Sequence, residues 1–392
     1  MTDKKPRKTV VHVVGCAPSG GGYPNASNTI RMLESSKYFS VINHCFWLPG
    51  SVKLWKAVGG SRLRTVLLLA RLVVMSFISV MRFLPSWLMS RGCDSRVYLP
   101  YPSIFSLLIF SLIPTFLRPS LICDFYISIF DSTFRDRCLN SSSRVARMVF
   151  LLERHALKCA DYIFVDTKAT KNEMVSLFSL DPVRVFSLPL AINESVFHAN
   201  ENPHILNRTT IDPVVLFVGN LSPLHGIGNI LEAIEIALKE RRFRFSIIGD
   251  GQDGPVVESF LSNCPRLPIY WCREWQDEMQ LSRSIADADI CLGVFGANDK
   301  ATRVFPFKNY LYLCAGRPVI SQKEYSLPEG LEVPPVVACG REPSEIASEI
   351  ISLLEDSHRR KRIALESSRY FHAWLTQGFL ERRWVEILRT GG

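Results

Sequence analysis

VVLFVGNLSPLHGIGNILEA, residues 214–233, reads as a buried strand, a glycine-bearing turn and a helix. The run Val214 to Val218 is apolar and largely β-branched, as suits a parallel strand covered on both faces. Gly219, Gly226 and Gly228 let backbone amides approach a ligand closely. A helix starting near Gly226 aims unpaired N–H groups and its positive dipole end outward, which favours a phosphorylated or nucleotide ligand. Many strand-to-helix turns with two glycines bind nothing, so the turn alone leaves both readings open.

Around this stretch strands and helices alternate along the chain. Downstream, strands are expected at Phe243–Ile248, Pro268–Trp271, Ile290–Leu292 and Pro318–Ile320, with helices between them. Upstream, the pattern predicts strands at Thr9–Val14, Val41–Trp47, Arg96–Leu99, Leu121–Phe125 and Tyr162–Val165. Helices are predicted at Asn25–Ser35, Ile104–Leu117 and Ser143–Cys159, with one or two more in the apolar region before Arg96. Ser187–Pro213 is polar, proline-bearing and weakly periodic, and reads as a linker. With 392 residues the chain fits two domains. The expectation is an α/β protein with two Rossmann-like domains, 1–205 and 206–370, whose parallel sheets face across a cleft and bind ligands at their strand carboxyl ends. A last amphipathic helix, Phe371–Leu388 within 371–392, is expected to pack back on the N-terminal domain.

Composition, 47% apolar and 21% charged, is that of a folded protein. The net charge of +9 is concentrated: Ser35 to Cys123 holds ten Lys and Arg against one acid, Asp94. Within it, Leu67–Met89 is apolar apart from Arg71 and Arg82. Two readings fit: residues 51–91 lie on an anionic membrane surface, or a buried or interdomain helix lets its arginines snorkel. Nucleic acid is not expected, because that partner calls for a polar basic face rather than a greasy one. Val97–Leu117 is uncharged over a spanning length, but Pro100, Pro102 and Pro114 break it. The N-terminus lacks the long apolar core of a secretory signal. Eleven scattered cysteines form no C-x-x-C pair and no ligand cluster with histidine, so a reduced, cytoplasmic protein without a metal site is expected.

A second region, DADICLGVFGANDKATRVFPFKNYLYLCAGRPVIS (287–321), opens from a strand into a loop with Gly296, Lys300, Arg303 and Lys308 before a helix starting near Pro306. Three cations and a helix start at a strand end suit a diphosphate, with Arg supplying a fork and Lys a point charge. A solvated basic loop paired with Asp299 or Asp289 is the plainer alternative.

FVGNLSPLHGI, the GDG at 249–251, LGVFG, KATRVFPFKNY and AGRPVIS together resemble the nucleotide-sugar domain of family 4 glycosyltransferases of the GT-B fold, closest to a bacterial polysaccharide-type branch. GGYPNASN (21–28), DFYISIFDSTFRDR (124–137) and ADYIFVDT (160–167) are similar to the acceptor-side domain of that branch. The resemblance implies transfer of a sugar from a nucleotide diphosphate donor to a lipid-linked, polysaccharide or glycolipid acceptor, with retention and without metal or other cofactor. Arg303 and Lys308 would then stabilise the departing diphosphate. Gly219, Asn220, His225, Gly226, Gly249, Gly251, Phe295, Gly296 and Lys300 would line the donor. Gly22, Tyr23 and Asn28 would stand on the acceptor side, and Asp131 would bind a sugar hydroxyl or assist the acceptor.

One position departs from the family. Its ribose-binding glutamate corresponds to Leu311, which cannot accept from a diol, so Glu324 or another acceptor compensates, or donor binding is weak or lost. The resemblance thus carries an alternative, a non-catalytic glycosyltransferase-like subunit that binds a membrane or partner. A sugar-nucleotide epimerase of the same fold matches the motifs poorly. His12 is expected in the core and His155 on a helix face. The expected location is the inner face of a membrane, as a peripheral cytoplasmic enzyme.

Overall fold

The computed structural model describes residues 8–18, 24–49, 62–90, 94–135, 142–198, 212–274 and 276–390. The chain divides into two compact units, Met1–Ala191 with Leu380–Gly392, and Ile192–Phe379.

The first unit holds a six-stranded sheet in the order β3-β1-β5-β6-β7-β8. Its strands are β1 (Thr9–Val13), β3 (Phe39–Asn43), β5 (Ser95–Leu99), β6 (Ser120–Asp124), β7 (Tyr162–Val165) and β8 (Val185–Ser187). A separate pair joins β2 (Cys16–Pro18) to β4 (Phe46–Leu48). Every pairing is parallel. From β1 the chain steps one way to β3, and every later step runs the other way. Because crossovers between parallel strands are right-handed, helix Asn25–Ser35 lies on one face. Helices Arg62–Ser90, Ile104–Phe110, Arg144–Leu157 and Lys168–Phe178 lie on the other.

The side chains agree with this layering. Val97, Leu99, Leu121, Cys123, Ile163 and Val165 pack beneath Leu72, Val80, Phe83 and Phe110. Tyr98 and Phe164 point the opposite way and meet Trp384 at ring distances of 5.3 and 4.7 Å. Trp384 belongs to helix Gln377–Thr390, so the chain's last helix completes the first unit's core.

The second unit repeats the plan in the order β11-β10-β9-β12-β13-β14. Here β9 is Val214–Val218, β10 Arg244–Ile248, β11 Ile269–Cys272, β12 Ile290–Leu292, β13 Val319–Gln322 and β14 Val337–Cys339. All pairings are again parallel. The central strands β9 and β12 are buried on both faces, which is why they read as unbroken apolar runs, whereas the edge strand β11 exposes Tyr270.

Four expectations need correction. The single strand at Val41–Trp47 is two, β3 and β4, separated at His44 and Cys45, whose chain leaves one sheet for the other. The helix expected over Ile104–Leu117 ends at Phe110; Pro114 lacks an N–H to continue it, and Thr115–Leu117 is a separate 3-10 turn. Phe371–Leu388 is not one helix but the end of Ser357–Trp374 and most of Gln377–Thr390, broken at Leu375 and Thr376. The linker expected to begin at Ser187 still carries strand β8 there and a short helix, Glu194–Phe197.

Candidate functional site

In the second unit the chain moves from β9 to β10 to β11 in one direction and then places β12 on the opposite side of β9. The order therefore reverses between β9 and β12, and the carboxyl ends of these two strands bound the crevice where open α/β sheets bind ligands.

Three turns converge at that end. After β9 comes Gly219 and the short 3-10 turn Pro223–His225, then Gly226 in the left-handed region at φ 62° as N-cap of helix Ile227–Glu240. A β-carbon on Gly226 would stand 2.4 Å from the Phe295 carbonyl oxygen, and one on Gly296 would stand 2.3 Å from the Leu224 carbonyl oxygen. The β9 turn and the β12 loop thus touch backbone to backbone, and Phe295 N–H donates to the His225 carbonyl at 3.1 Å. Gly251, after β10, lies equally close to Leu221. These glycines therefore hold the turns together. No side chain caps helix Ile227–Glu240 or helix Phe307–Cys314, so their first-turn N–H groups are left for another acceptor, apart from that of Asn309, which donates to the Pro306 carbonyl at 2.9 Å.

Lys308 enters this crevice from the first turn of helix Phe307–Cys314. The side chain is 6% exposed, and its Nζ donates to the Gly293 carbonyl at 3.3 Å and rests 3.7 Å from the centre of the Phe217 ring. A β-carbon on Gly219 would lie 3.0 Å from that Nζ and 3.1 Å from His225 Cε1. Lys308, His225 and the bare Gly219 backbone therefore share one small volume, with Phe217 as its floor. Among the described residues no carboxylate pairs with Lys308. Burial holds it well below the ordinary lysine range, and burial together with Lys308 holds His225 well below the ordinary histidine range. His225 Nδ1 is buried without a hydrogen-bond partner. A lysine kept from water beside a carbonyl, an aromatic ring and an orphaned imidazole nitrogen is an arrangement that an incoming anion would complete.

The other expected donor residues are placed as follows. Asn220 is exposed at the turn. Gly249 donates to the Cys272 carbonyl and accepts from Trp271 Nε1, both at 2.8 Å, so its backbone is committed to the fold. Lys300 and Arg303 lie on the short helix Asp299–Arg303, capped by Asn298. Arg303 Nε donates to Asp299 Oδ2 at 2.9 Å; Asp299 is an exposed partner that a stronger anion could displace. Leu311 is buried, and Glu324 pairs with Arg341 at 3.4 Å.

In the first unit, Gly22 and Tyr23 lie outside the described residues. Asn28 is buried, donating to the Ala191 carbonyl at 3.0 Å and accepting from Arg31. Asp131 is buried in a single π-helical turn, 3.4 Å from Arg135. Its neighbour Glu153 accepts from Ser128 Oγ and the Ile129 and Phe130 amides, and burial raises its pKa to about 7. Asp124 accepts from the Tyr98 hydroxyl at 2.5 Å and is likewise raised by burial to about 7. His12 lies in the core 3.4 Å from His44, and His155 is exposed on its helix. Residues 50–61 and the side chains of Arg62 and Arg64 lie outside the described residues. Among the described residues the cysteines are free and no group of His, Cys, Asp and Glu could hold a metal.

Sequence reasoning did not find Phe217 or the Gly293 carbonyl as the seat of Lys308. Phe217 reads as one more apolar strand residue, and a carbonyl acceptor has no sequence signature.

Residues 212–356 match the family described as Glycosyl transferases group 1. No curated protein matches the chain by sequence. Solved structures that share its fold include sucrose-phosphate synthase from Thermosynechococcus elongatus, 13% identical over 98% of this chain and 99% of that one, with a TM-score of 0.67. Another is Anabaena HepE in complex with UDP, 12% identical over 97% and 100% of the two chains, TM-score 0.64. A third is the N-terminal domain of Candida albicans trehalose-6-phosphate phosphatase, 12% identical over 99% and 98%, TM-score 0.68. At such identities the likeness is one of fold, GT-B, with two parallel-sheet α/β domains. The matched domain and the shared fold together support a glycosyltransferase.

Proposed function

We propose that this chain transfers a sugar from a nucleotide diphosphate donor to a lipid-linked, polysaccharide or glycolipid acceptor, with retention and without a metal, as a peripheral enzyme on the cytoplasmic face of a membrane. The observation that carries the reading is Lys308, buried beside Gly219 and His225 at the point where the strand order reverses, inside the segment that matches the group 1 family. When the bond from the anomeric carbon to the diphosphate breaks, negative charge grows on the leaving oxygens. Lys308, the His225 ring and the first-turn amides of helices Ile227–Glu240 and Phe307–Cys314 are the groups positioned to receive it. Anabaena HepE is described with UDP and with UDP-glucose, which makes uridine donors the first to try.

The test is a panel of UDP-, GDP- and TDP-sugars assayed for transfer and for donor hydrolysis, with and without EDTA. Turnover unaffected by chelation and abolished in Lys308→Ala is the expected result, with Arg303→Ala less severe because Asp299 already engages that side chain. Asp131→Asn separates an acceptor role from a structural one through KM for the acceptor. Product of inverted configuration would refute retention.

A second reading, a non-catalytic subunit that binds a membrane or partner, is favoured by one observation: Leu311 is buried apolar surface where the resemblance calls for a ribose-binding carboxylate. It predicts no transfer and no hydrolysis with any donor.

A further inference from the structure

Seventeen of the large apolar side chains that stand exposed lie between Val66 and Leu152, on helices Arg62–Ser90 and Arg144–Leu157 of the first unit and on the segment that follows helix Ile104–Phe110. Helix Arg62–Ser90 turns Leu72, Ser76, Ser79 and Phe83 to the core and sends Leu67, Val74, Met81 and Leu88, each seven residues from the last, to the opposite side. The segment after helix Ile104–Phe110 exposes Leu112 and Phe116 at 82% and 83%. Helix Arg144–Leu157 buries Ala146, Glu153 and Leu157 and leaves Met148 and Leu151 half exposed. These three of the four helices on one face of the sheet pack in series, so their outer surfaces all point away from it.

We propose that this whole layer, and not helix Arg62–Ser90 alone, is a docking platform that lies flat on an anionic lipid bilayer. The proposal deepens the membrane-face reading of the function and does not depend on the transfer chemistry. Charge selects the occupant. Residues 62–90, 104–120 and 144–158 carry nine Lys and Arg against one acid, Glu153, which is buried against Ser128 and backbone amides. Arg71, Arg82, Arg144 and Arg147 are exposed beside the apolar side chains, the composition that anionic headgroups over acyl chains match. A second copy of the chain would set cation against cation.

Helix Arg62–Ser90 is long and apolar enough to cross a membrane. Its inner face is nonetheless tied to the sheet: Ser79 accepts from the Gly15 amide at 2.7 Å and donates to the His44 carbonyl at 2.8 Å, and Phe83 meets His12, His44 and Phe110. Crossing would break all of these contacts, whereas lying in the plane keeps them.

The experiment is flotation of the full chain with vesicles of phosphatidylcholine alone or mixed with phosphatidylglycerol, at low and high salt. Expected is binding to the mixed vesicles that weakens with salt. Met148→Glu with Leu151→Glu, far in sequence from helix Arg62–Ser90, should lower it by about tenfold or more. Val256→Glu with Met279→Glu, on exposed apolar residues of the second unit, should leave it unchanged. Circular dichroism and binding of UDP or GDP check that each variant is folded. A folded Met148/Leu151 variant that floats like the wild type while Val74→Glu with Met81→Glu does not would overturn the platform. A dimer in solution that the same substitutions dissociate, with no vesicle binding by the wild type, would give the face to a second copy instead. Unaltered transfer activity on soluble acceptors in a variant that no longer floats would leave the glycosyltransferase reading intact.

Discussion

In the unit Ile192–Phe379 the strand order reverses between β9 and β12, and the space beside them holds a buried lysine, an orphaned histidine nitrogen and bare glycine backbone. In the other unit it reverses between β1 and β5, and the corresponding turn is closed: the Gly15 amide donates to Ser79, and a β-carbon on Gly15 would stand 2.6 Å from Ser106 Oγ. The outer surfaces differ in the opposite sense. Among the described residues the first unit exposes twenty large apolar side chains and the second five. One architecture thus presents a buried lysine and a polar coat in one copy, and a β1 turn filled by Ser79 and Ser106 with a greasy, cationic coat in the other. Topology supplies the crevice, and the side chains delivered to it decide whether it binds an anion.

The largest expected effect separates the two crevices directly. Lys308→Met keeps the aliphatic volume over Phe217 but removes the charge, and transfer should fall by about a hundredfold to a thousandfold. Ser79→Ala, at the first unit's crevice, should cost about 1–3 kcal/mol of stability by leaving the Gly15 amide unpaired, with turnover kept. A comparable loss of turnover in both would erase the contrast.

Next come two glycines of the same turn. Gly226→Ala must adopt a left-handed backbone and meets the Phe295 carbonyl, so thermal unfolding should show a loss of about 2–3 kcal/mol. Gly228→Ala, with open space around its β-carbon, should gain about 0.5–1 kcal/mol in the helix.

The buried ionisable groups of the first unit give a pH signature. Glu153 is raised to about 7, so it stabilises the fold at low pH and that contribution is lost as pH rises through about 7. His12 is lowered to about 4, so its contribution is present above the ordinary histidine value and lost as pH falls toward 4. The two oppose each other over the same interval. In Glu153→Gln the variant's melting temperature relative to the wild type should therefore rise between about pH 5 and 7 and level off above that, whatever its fixed cost from the altered hydrogen bonds. A flat difference would mean that Glu153 titrates normally.

Much of this organisation is legible in the chain because strands buried on both faces have no period to hide. VVLFV and YIFV announce themselves. The three-residue strands β2, β4, β8 and β14 do not, since they form only where neighbours hold them, whereas the equally short β12 does because all of its ICL run is buried at the centre of its sheet. Glycine spacing marked where backbones meet, but not that Gly226 and Gly296 serve backbone contact between two turns. Lys308 read as one cation among three, because burial of a charged side chain is set by what surrounds it in space. The outer face of helix Arg144–Leu157 escaped for the related reason that Phe150 packs inward while Met148 and Leu151 do not. Nothing in RMVFLL distinguishes them.

The central claim is that Lys308 with His225 exists to meet a diphosphate, and calorimetric titration of UDP and GDP in two buffers of different ionisation heat tests it most directly. An anion drawn next to a lysine held low by burial raises that lysine's proton affinity, so binding should take up protons across the pH window between its free and bound values and weaken as pH rises through it. The account predicts that Lys308→Met loses both this proton uptake and about a hundredfold in affinity. Binding of equal strength in wild type and variant, with the same heat in both buffers, would contradict it.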